Sequence, residues 1–454
     1  MNLRQAMSRF QNTIYARAVR HGLTLAIPFL IMGSFALLLT NFPLGVYQDF
    51  IRTWMNGAAS AILETLYQIS LGSLALVLTV TISISYGHLT ETDQLFLYPI
   101  VAVCSYLAFC GGIENQSDYI FNAEWVFTAM VITLLSCVLF HKILKLGHRF
   151  ERLHTTGADY LFNISIQCLI PVILVSLFFA VTGYVLRVAW DSSNITNFGS
   201  YLFLKLFDKI SGNLFGILLY VVMTHLLWFM GIHGTNTLEA VSRHLFEQNV
   251  EINQSLVLAG HIPTEIFSKT FLDTFVFIGG CGTALSFVLA LYIASKQSHN
   301  RKMSFVALPS ALFNISEIAV FGFPIIFNLT MLIPFILTPV ILTLISASAI
   351  KTGLVPAVTH SVEWTIPVLL SGYQATGSVS GSLLQLFNLL VGVFIYMPFV
   401  RRSEKQETGK FKQAVRQMEQ DMAAGERDGV IPAYLSHKYP YYYYAKTLSM
   451  DLTN

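Results

Sequence analysis

Nine apolar stretches dominate this chain, near residues 22–40, 71–87, 97–112, 125–144, 160–189, 212–231, 272–295, 328–350 and 383–400. Each is about long enough to cross a hydrocarbon core of ~30 Å as a helix. Lipid offers no water to satisfy a free backbone N–H or C=O, so such stretches fold as helices or not at all. The fold predicted is an all-α polytopic membrane protein. Charged residues make up 11% of the chain, against roughly 25% in a soluble domain. With 54% hydrophobic residues and a mean hydropathy of +0.60, a globule around one core is excluded. A formal net charge of +2 gives no reason to expect a nucleic-acid partner. The five cysteines (Cys104, Cys110, Cys137, Cys168 and Cys281) show no paired spacing, so neither a disulfide framework nor a metal site is expected. The N-terminus has no compact apolar run before a small-residue cleavage site, and no cleaved signal peptide is read there.

Two stretches behave differently. Residues 232–271 and 303–327 are interrupted by glycine, proline and polar residues, yet are too apolar for exposed loops. Broken backbone at membrane depth survives only inside protein or beside a cavity, so these are predicted to be two re-entrant hairpins among about ten transmembrane helices. Basic residues fall in four clusters: Arg4 to Arg20; Lys142, Lys145, Arg149 and Arg152; Lys296, Arg301 and Lys302; and Arg401 and Arg402. The positive-inside rule puts all four, and both termini, on the cytoplasmic side if 232–271 adds a crossing. After Arg401 the chain turns polar, and Phe411, Val415, Met418 and Met422 recur at helical spacing, which predicts an amphipathic helix. A turn-prone stretch and four tyrosines, Tyr441 to Tyr444, follow; an interfacial belt is the simplest reading of the tyrosines.

Within this apolar background a few polar residues stand out. Glu317 is the only ionisable group between Lys302 and Lys351, and a charge at that depth costs about 2.5–3.5 kcal/mol on insertion scales. A watery or ligand-filled cavity explains it best; an ion pair or helix-end hydrogen bond is the plain alternative. His233, in Gly231-Ile232-His233-Gly234, is the second candidate, against a role as a satisfied structural histidine. Asn236 and Asn314 flank these positions as further ligand candidates, and Gly234 belongs to the same group. Trp364 could stack on a ligand ring or anchor at the membrane interface. His225 reads as structural, and Glu91 with Asp93 as a solvated loop. No Walker-type loop, nucleophile elbow or metal-ligand spacing occurs, so no cofactor and no catalytic chemistry of the chain's own is expected.

The motifs Leu227-Trp228-Phe229-Met230-Gly231-Ile232-His233-Gly234, Phe277-Ile278-Gly279-Gly280-Cys281-Gly282, Phe313-Asn314-Ile315-Ser316-Glu317 and Phe321-Gly322-Phe323-Pro324 come in one order. Trp364-Thr365-Ile366-Pro367 and Ile395-Tyr396-Met397-Pro398-Phe399 follow them. In this order and spacing the chain resembles the IIC membrane component of the bacterial phosphotransferase system, lactose/cellobiose/diacetylchitobiose branch. The resemblance covers most of residues 1–402. It implies a homodimer in the bacterial inner membrane, with about 1–190 largely a dimerisation and scaffold part and about 212–400 a sugar-binding part. Residues 403–454 are left as a cytoplasmic tail. It further implies that Glu317 and His233 bind a disaccharide of the cellobiose, diacetylchitobiose or lactose class, phosphorylated by a separate phospho-IIB protein. The loops at 141–153 and 296–302 would dock that protein. One departure is clear: where the family has Asn-Glu-Pro, this chain has Ser316-Glu317-Ile318.

Two functions compete. One is a permease that binds the disaccharide and presents it to IIB. The other is a sugar-sensing membrane module coupled to a cytoplasmic output domain. Its motivation is the tail, where Ala445-Lys446-Thr447-Leu448-Ser449-Met450-Asp451-Leu452 is similar to the lead-in of EAL-type cyclic-di-GMP phosphodiesterase domains.

Overall fold

The computed structural model describes residues 9–427 except 12, 43, 93, 113–117, 147–158, 190–197, 208, 209, 211 and 324. Among the described residues every regular element is helical, as the backbone argument requires. The principal helices are α1 (Ile14–Thr40), α2 (Leu74–Leu89), α3 (Leu97–Cys110), α4 (Val126–Lys145) and α5 (Tyr160–Ala189). After them come α6 (Leu214–Phe229), α7 (Ala284–Ala294), α8 (Ser298–Leu312), α9 (Leu329–Lys351) and α10 (Val379–Arg427). Among the described residues, five helices are long and apolar enough to cross a membrane: α1, α4, α5, α9 and the first part of α10. The apolar α2, α3, α6 and α7 are shorter, and the 16 residues of α2 reach only about 24 Å.

Small residues let these helices approach closely, which is how membrane helices gain packing contacts without a hydrophobic drive between them. Gly22 of α1 faces α2 so tightly that a Cβ there would sit 2.7 Å from the Ile82 Cα. Thr13 starts α1 by accepting a 3.3 Å hydrogen bond from the Ala16 N–H, as an N-cap residue does. Two large apolar cores result, beside a small cluster of Leu38, Phe313 and Ile315. One joins α1–α5 with α7 and parts of α8, α9 and α10. The other joins α6 with residues 238–277 and the far end of α9.

The expectation of one continuous span over 272–295 is corrected. Leu272–Val276 winds as a single π-helical turn, and α7 begins only at Ala284. Between them Gly279, Gly280, Gly282 and Thr283 all have positive φ, from 50° to 92°, a region that glycine enters freely and other residues rarely. Residues 232–271 break into short helical pieces and a segment without regular structure. Residues 303–327 contain the end of α8, a turn and the short helix Glu317–Gly322. The expected boundary at residue 402 falls inside α10, which runs unbroken through it. The side chains of Phe411, Val415, Met418 and Met422, and everything from 428 onward with its tyrosines and lead-in motif, lie outside the described residues. So do Arg149, Arg152 and Asp93.

Glu404, only 8% exposed, fastens α10 to the start of α8. It accepts hydrogen bonds from the Ser295 hydroxyl, from the Lys296 N–H at 3.1 Å and from the Asn300 amide at 2.8 Å. One turn of α10 also meets the start of α9. The Asn328 amide donates to Ser403 at 3.3 Å, and the Thr330 hydroxyl donates to Gln406 at 2.7 Å. Removing a buried acceptor leaves its donors unpaired, at about 1–3 kcal/mol for a neutral group and more for a charged one. Glu404→Ala is therefore expected to lower the melting temperature clearly in detergent. Glu404→Gln, which keeps one acceptor oxygen, should lower it less. Equal melting of all three proteins would show that the clasp contributes nothing.

Candidate functional site

Three interrupted segments converge on one cavity of about 290 Å³. They are the turn after α6 carrying His233, the glycine turn at 279–282, and the turn after α8 carrying Glu317. The first core contributes Leu71 and Leu74 to the wall, and the second contributes Tyr220, Leu272 and Phe277. The cavity thus lies at the seam between the two cores.

Broken backbone here is held by three side chains. Asn314, itself at φ 61°, accepts a 2.7 Å hydrogen bond from the Gly279 N–H. Its amide donates to the carbonyls of Trp364 at 2.6 Å and Ile366 at 3.2 Å. One amide therefore ties together three segments distant in sequence. His225, fully buried, shares a 2.6 Å contact between its Nδ1 and the Val221 carbonyl, and its Nε2 accepts from the Gly282 N–H at 2.8 Å. Because a backbone N–H can only donate, the neutral ring carries its proton on Nδ1. Tyr396 donates to the Gly282 carbonyl at 2.5 Å. His225 is structural, as its position in the sequence suggested.

His233 caps the short turn Gly234–Thr237. Its Nδ1 accepts from the Asn236 N–H at 3.4 Å, with the Thr235 hydroxyl at 3.2 Å. The same logic puts the proton of the neutral ring on Nε2, which lies 3.6 Å from Glu317 Oε1. That gap exceeds a good hydrogen bond, so the N–H and the carboxylate face each other without closing. Trp228 backs the histidine, its ring centroid 4.3 Å away and its side chain 1% exposed. Glu317 is the first residue of its short helix and Ile318 the second. N–H groups in a first helical turn have no intrahelical acceptor, so isoleucine in place of proline leaves the helix start intact. Ser316 lies against Gly280, where a Cβ would sit 2.9 Å from the serine hydroxyl.

Of the residues singled out in the sequence, Glu317, His233, Asn236, Asn314 and Trp364 all line the cavity. Gly234 does not appear on the wall. A Cβ there would overlap the Thr224 carbonyl, so its role is to let the turn fold back onto α6. Sequence reasoning missed Tyr67, Glu239, Lys269 and Asp273, which also line the cavity. The i, i+4 charges Lys269 and Asp273, at the mouth of an apolar run, were a legible signal. Tyr67, on the unremarkable helix Ala58–Gln68, carried none.

Residues 20–339 match the family profile of the phosphotransferase system, EIIC. The chain belongs to this family. The EIIC chain is 28% identical over 409 residues to the lichenan permease IIC component of Bacillus subtilis (strain 168), covering 87% of this chain and 90% of that protein. It is 26% identical over 441 residues to the oligo-beta-mannoside-specific EIIC component of the same organism, covering 93% and 96%. Against the cellobiose-specific EIIC component of Geobacillus stearothermophilus it is 27% identical over 420 residues, covering 87% and 91%. A crystal structure of the transporter ChbC, the IIC component from the N,N'-diacetylchitobiose-specific system, aligns with 90% of this chain and 98% of its own. The identity there is 24% and the TM-score 0.47. The resemblance read from the motifs is thus borne out for the family.

The knot at Asn314 gives a test independent of any ligand. Asn314→Asp keeps the acceptor for Gly279 but turns a carboxylate oxygen toward two carbonyls in place of an amide that donates to both. The expected result is a lower melting temperature in detergent than for Asn236→Asp, whose side-chain amide makes no hydrogen bond among the described residues. Equal melting of the two would refute the knot.

Proposed function

We propose that this EIIC chain is a sugar permease that binds a disaccharide in the cavity and presents it to a separate phospho-IIB protein. The observation that carries this reading is the unclosed pair of His233 Nε2 and Glu317 Oε1, 3.6 Å apart on the cavity wall. A sugar hydroxyl is both donor and acceptor, so one hydroxyl can accept from the imidazole N–H while donating to the carboxylate. A hydrogen bond to a charged partner contributes about 1.5–3 kcal/mol. Asn236 and Trp364 serve as further contacts in this reading, the indole offering an apolar face to a ring. Asn314 positions the turn; its amide is already occupied. Relatives named for lichenan, oligo-beta-mannoside and cellobiose support a sugar of the cellobiose class as substrate. Diacetylchitobiose and lactose are the other candidate substrates. Phosphorylation would add roughly −1.5 to −2 charge, and repulsion from Glu317 would then favour release.

In this reading nine or ten crossings include the shorter α2, α3, α6 and α7, and residues 232–271 and 303–327 are the re-entrant hairpins. The protein sits in a bacterial inner membrane with both termini cytoplasmic. Leu37, Tyr67, Leu71 and Ala123 on the cavity wall come from helix ends remote from the basic clusters, which supports an outward-facing cavity. The chain acts as a homodimer, with the N-terminal half supplying most of the contact.

One observation favours the sensing alternative. The far end of α8 and the start of α9 are both fastened to residues 403–406 of α10, and that helix continues to Arg427. A shift of the Glu317 segment on sugar binding would reach the tail through the start of α9 and along the length of α8.

Equilibrium binding of cellobiose, diacetylchitobiose and lactose to purified protein tests the site. Saturable binding to at least one is expected, weakened tenfold or more by Glu317→Gln and by His233→Ala. Folded protein that binds none of the three would refute a disaccharide site. Uptake into vesicles supplied with phospho-IIB separates the two functions: binding without uptake would favour the sensor.

A further inference from the structure

The cavity wall holds a second charged pair that the His233–Glu317 reading does not use. Lys269 Nζ lies 3.3 Å from Asp273 Oδ2, with the two side chains 42% and 22% exposed, and both residues line the cavity. The sequence builds this pair locally. Ser268 caps a single turn by accepting a 3.0 Å hydrogen bond from the Phe271 N–H. The backbone then winds as a π turn over Leu272–Val276, a form that often marks functional sites. Around the pair, Phe271, Leu272 and Phe275 are at most 1% exposed, so the two charges open onto the cavity from an apolar wall.

As a device for stability alone the pair is a poor choice. A partly exposed i, i+4 ion pair contributes little to stability. As a recognition device it has capacity to spare. The ammonium has three donor hydrogens and the carboxylate two acceptor oxygens, and their mutual contact engages one of each. Adjacent sugar hydroxyls ask for that combination, one donating to the carboxylate and its neighbour accepting from the ammonium. The cavity therefore presents two donor–acceptor pairs, His233 with Glu317 and Lys269 with Asp273. A disaccharide presents two polyhydroxylated rings.

We propose that Lys269 and Asp273 are specificity-determining residues that hold the sugar ring not held by His233 and Glu317. This rests on the disaccharide site proposed above. A site built to hydrogen-bond a hydroxyl discriminates strongly against ligands lacking it, because its own polar groups are then left unpaired. The pair thus gives the site its preference for two rings over one.

The test is displacement of labelled cellobiose from detergent-purified full-length protein by unlabelled cellobiose and by the one-ring competitor methyl β-glucoside. Lys269→Met and Asp273→Asn are each expected to weaken cellobiose tenfold or more while leaving the methyl β-glucoside constant within threefold of wild type. Glu317→Gln should weaken both. The exchanged double variant Lys269→Asp with Asp273→Lys re-forms the ion pair but reverses what it shows to the sugar. Its melting temperature is expected to recover while its cellobiose affinity does not. Unchanged cellobiose affinity in the single variants, an equal loss for both competitors, or recovery of affinity in the exchanged variant would each overturn the inference. Failure of folded wild type to bind any of the three disaccharides would overturn the site itself, and this inference with it.

Discussion

The Asn314 amide accepts from Gly279 and donates to Trp364 and Ile366, and the candidate site depends on that knot. Opening a cavity within apolar helices requires the helices to stop, and every stop frees backbone donors and acceptors that lipid cannot satisfy. Around this cavity those groups are taken up by a few side chains. Asn314 serves the glycine turn and the 364–366 segment together. His225 and Tyr396 serve the N–H and the carbonyl of Gly282. Polar residues around the cavity thus include two kinds. Some have every hydrogen bond closed on backbone and hold the cavity open; others, such as Glu317, keep capacity for something inside it.

That division explains what was legible in the sequence. A lone carboxylate in an apolar run signals a cavity whatever the fold, so Glu317 was found directly, and His233 followed from its glycine-flanked turn. The same reasoning could not separate Asn236 from Asn314, because both are amides beside a key residue. Only the geometry shows Asn314 occupied by Gly279, Trp364 and Ile366. Gly234 shows a related limit: a glycine beside a site can face a ligand or a helix, and here it faces the Thr224 carbonyl.

The helices show the same limit. Apolar length identified α4, α5 and α9 with good bounds, since composition alone decides those stretches, but it placed the start of α1 at 22 where the helix begins at Ile14. It failed over 272–295, where mean apolarity hides three left-handed glycines that end a helix. Hydropathy averages over a window, whereas a break in a helix is set by single residues. The same averaging drew attention away from Lys269 and Asp273, which sit at the edge of that apolar run.

The clasp at 403–406 links this site to the rest of the molecule. Glu317 opens the short helix between α8 and α9, and both of those helices begin against one turn of α10. The Phe327 carbonyl, just before α9, also accepts from Gln11 ahead of α1. A rigid-body displacement of the turn that kept its internal packing would have to carry α10 with it or break these bonds. Packed interfaces of this kind favour discrete arrangements over continuous bending. In a permease the clasp would couple any movement of the Glu317 segment to α10. In a sensor the same clasp makes α10 the output. A single structural device therefore serves both readings, and the difference lies in whether the sugar leaves on the other side.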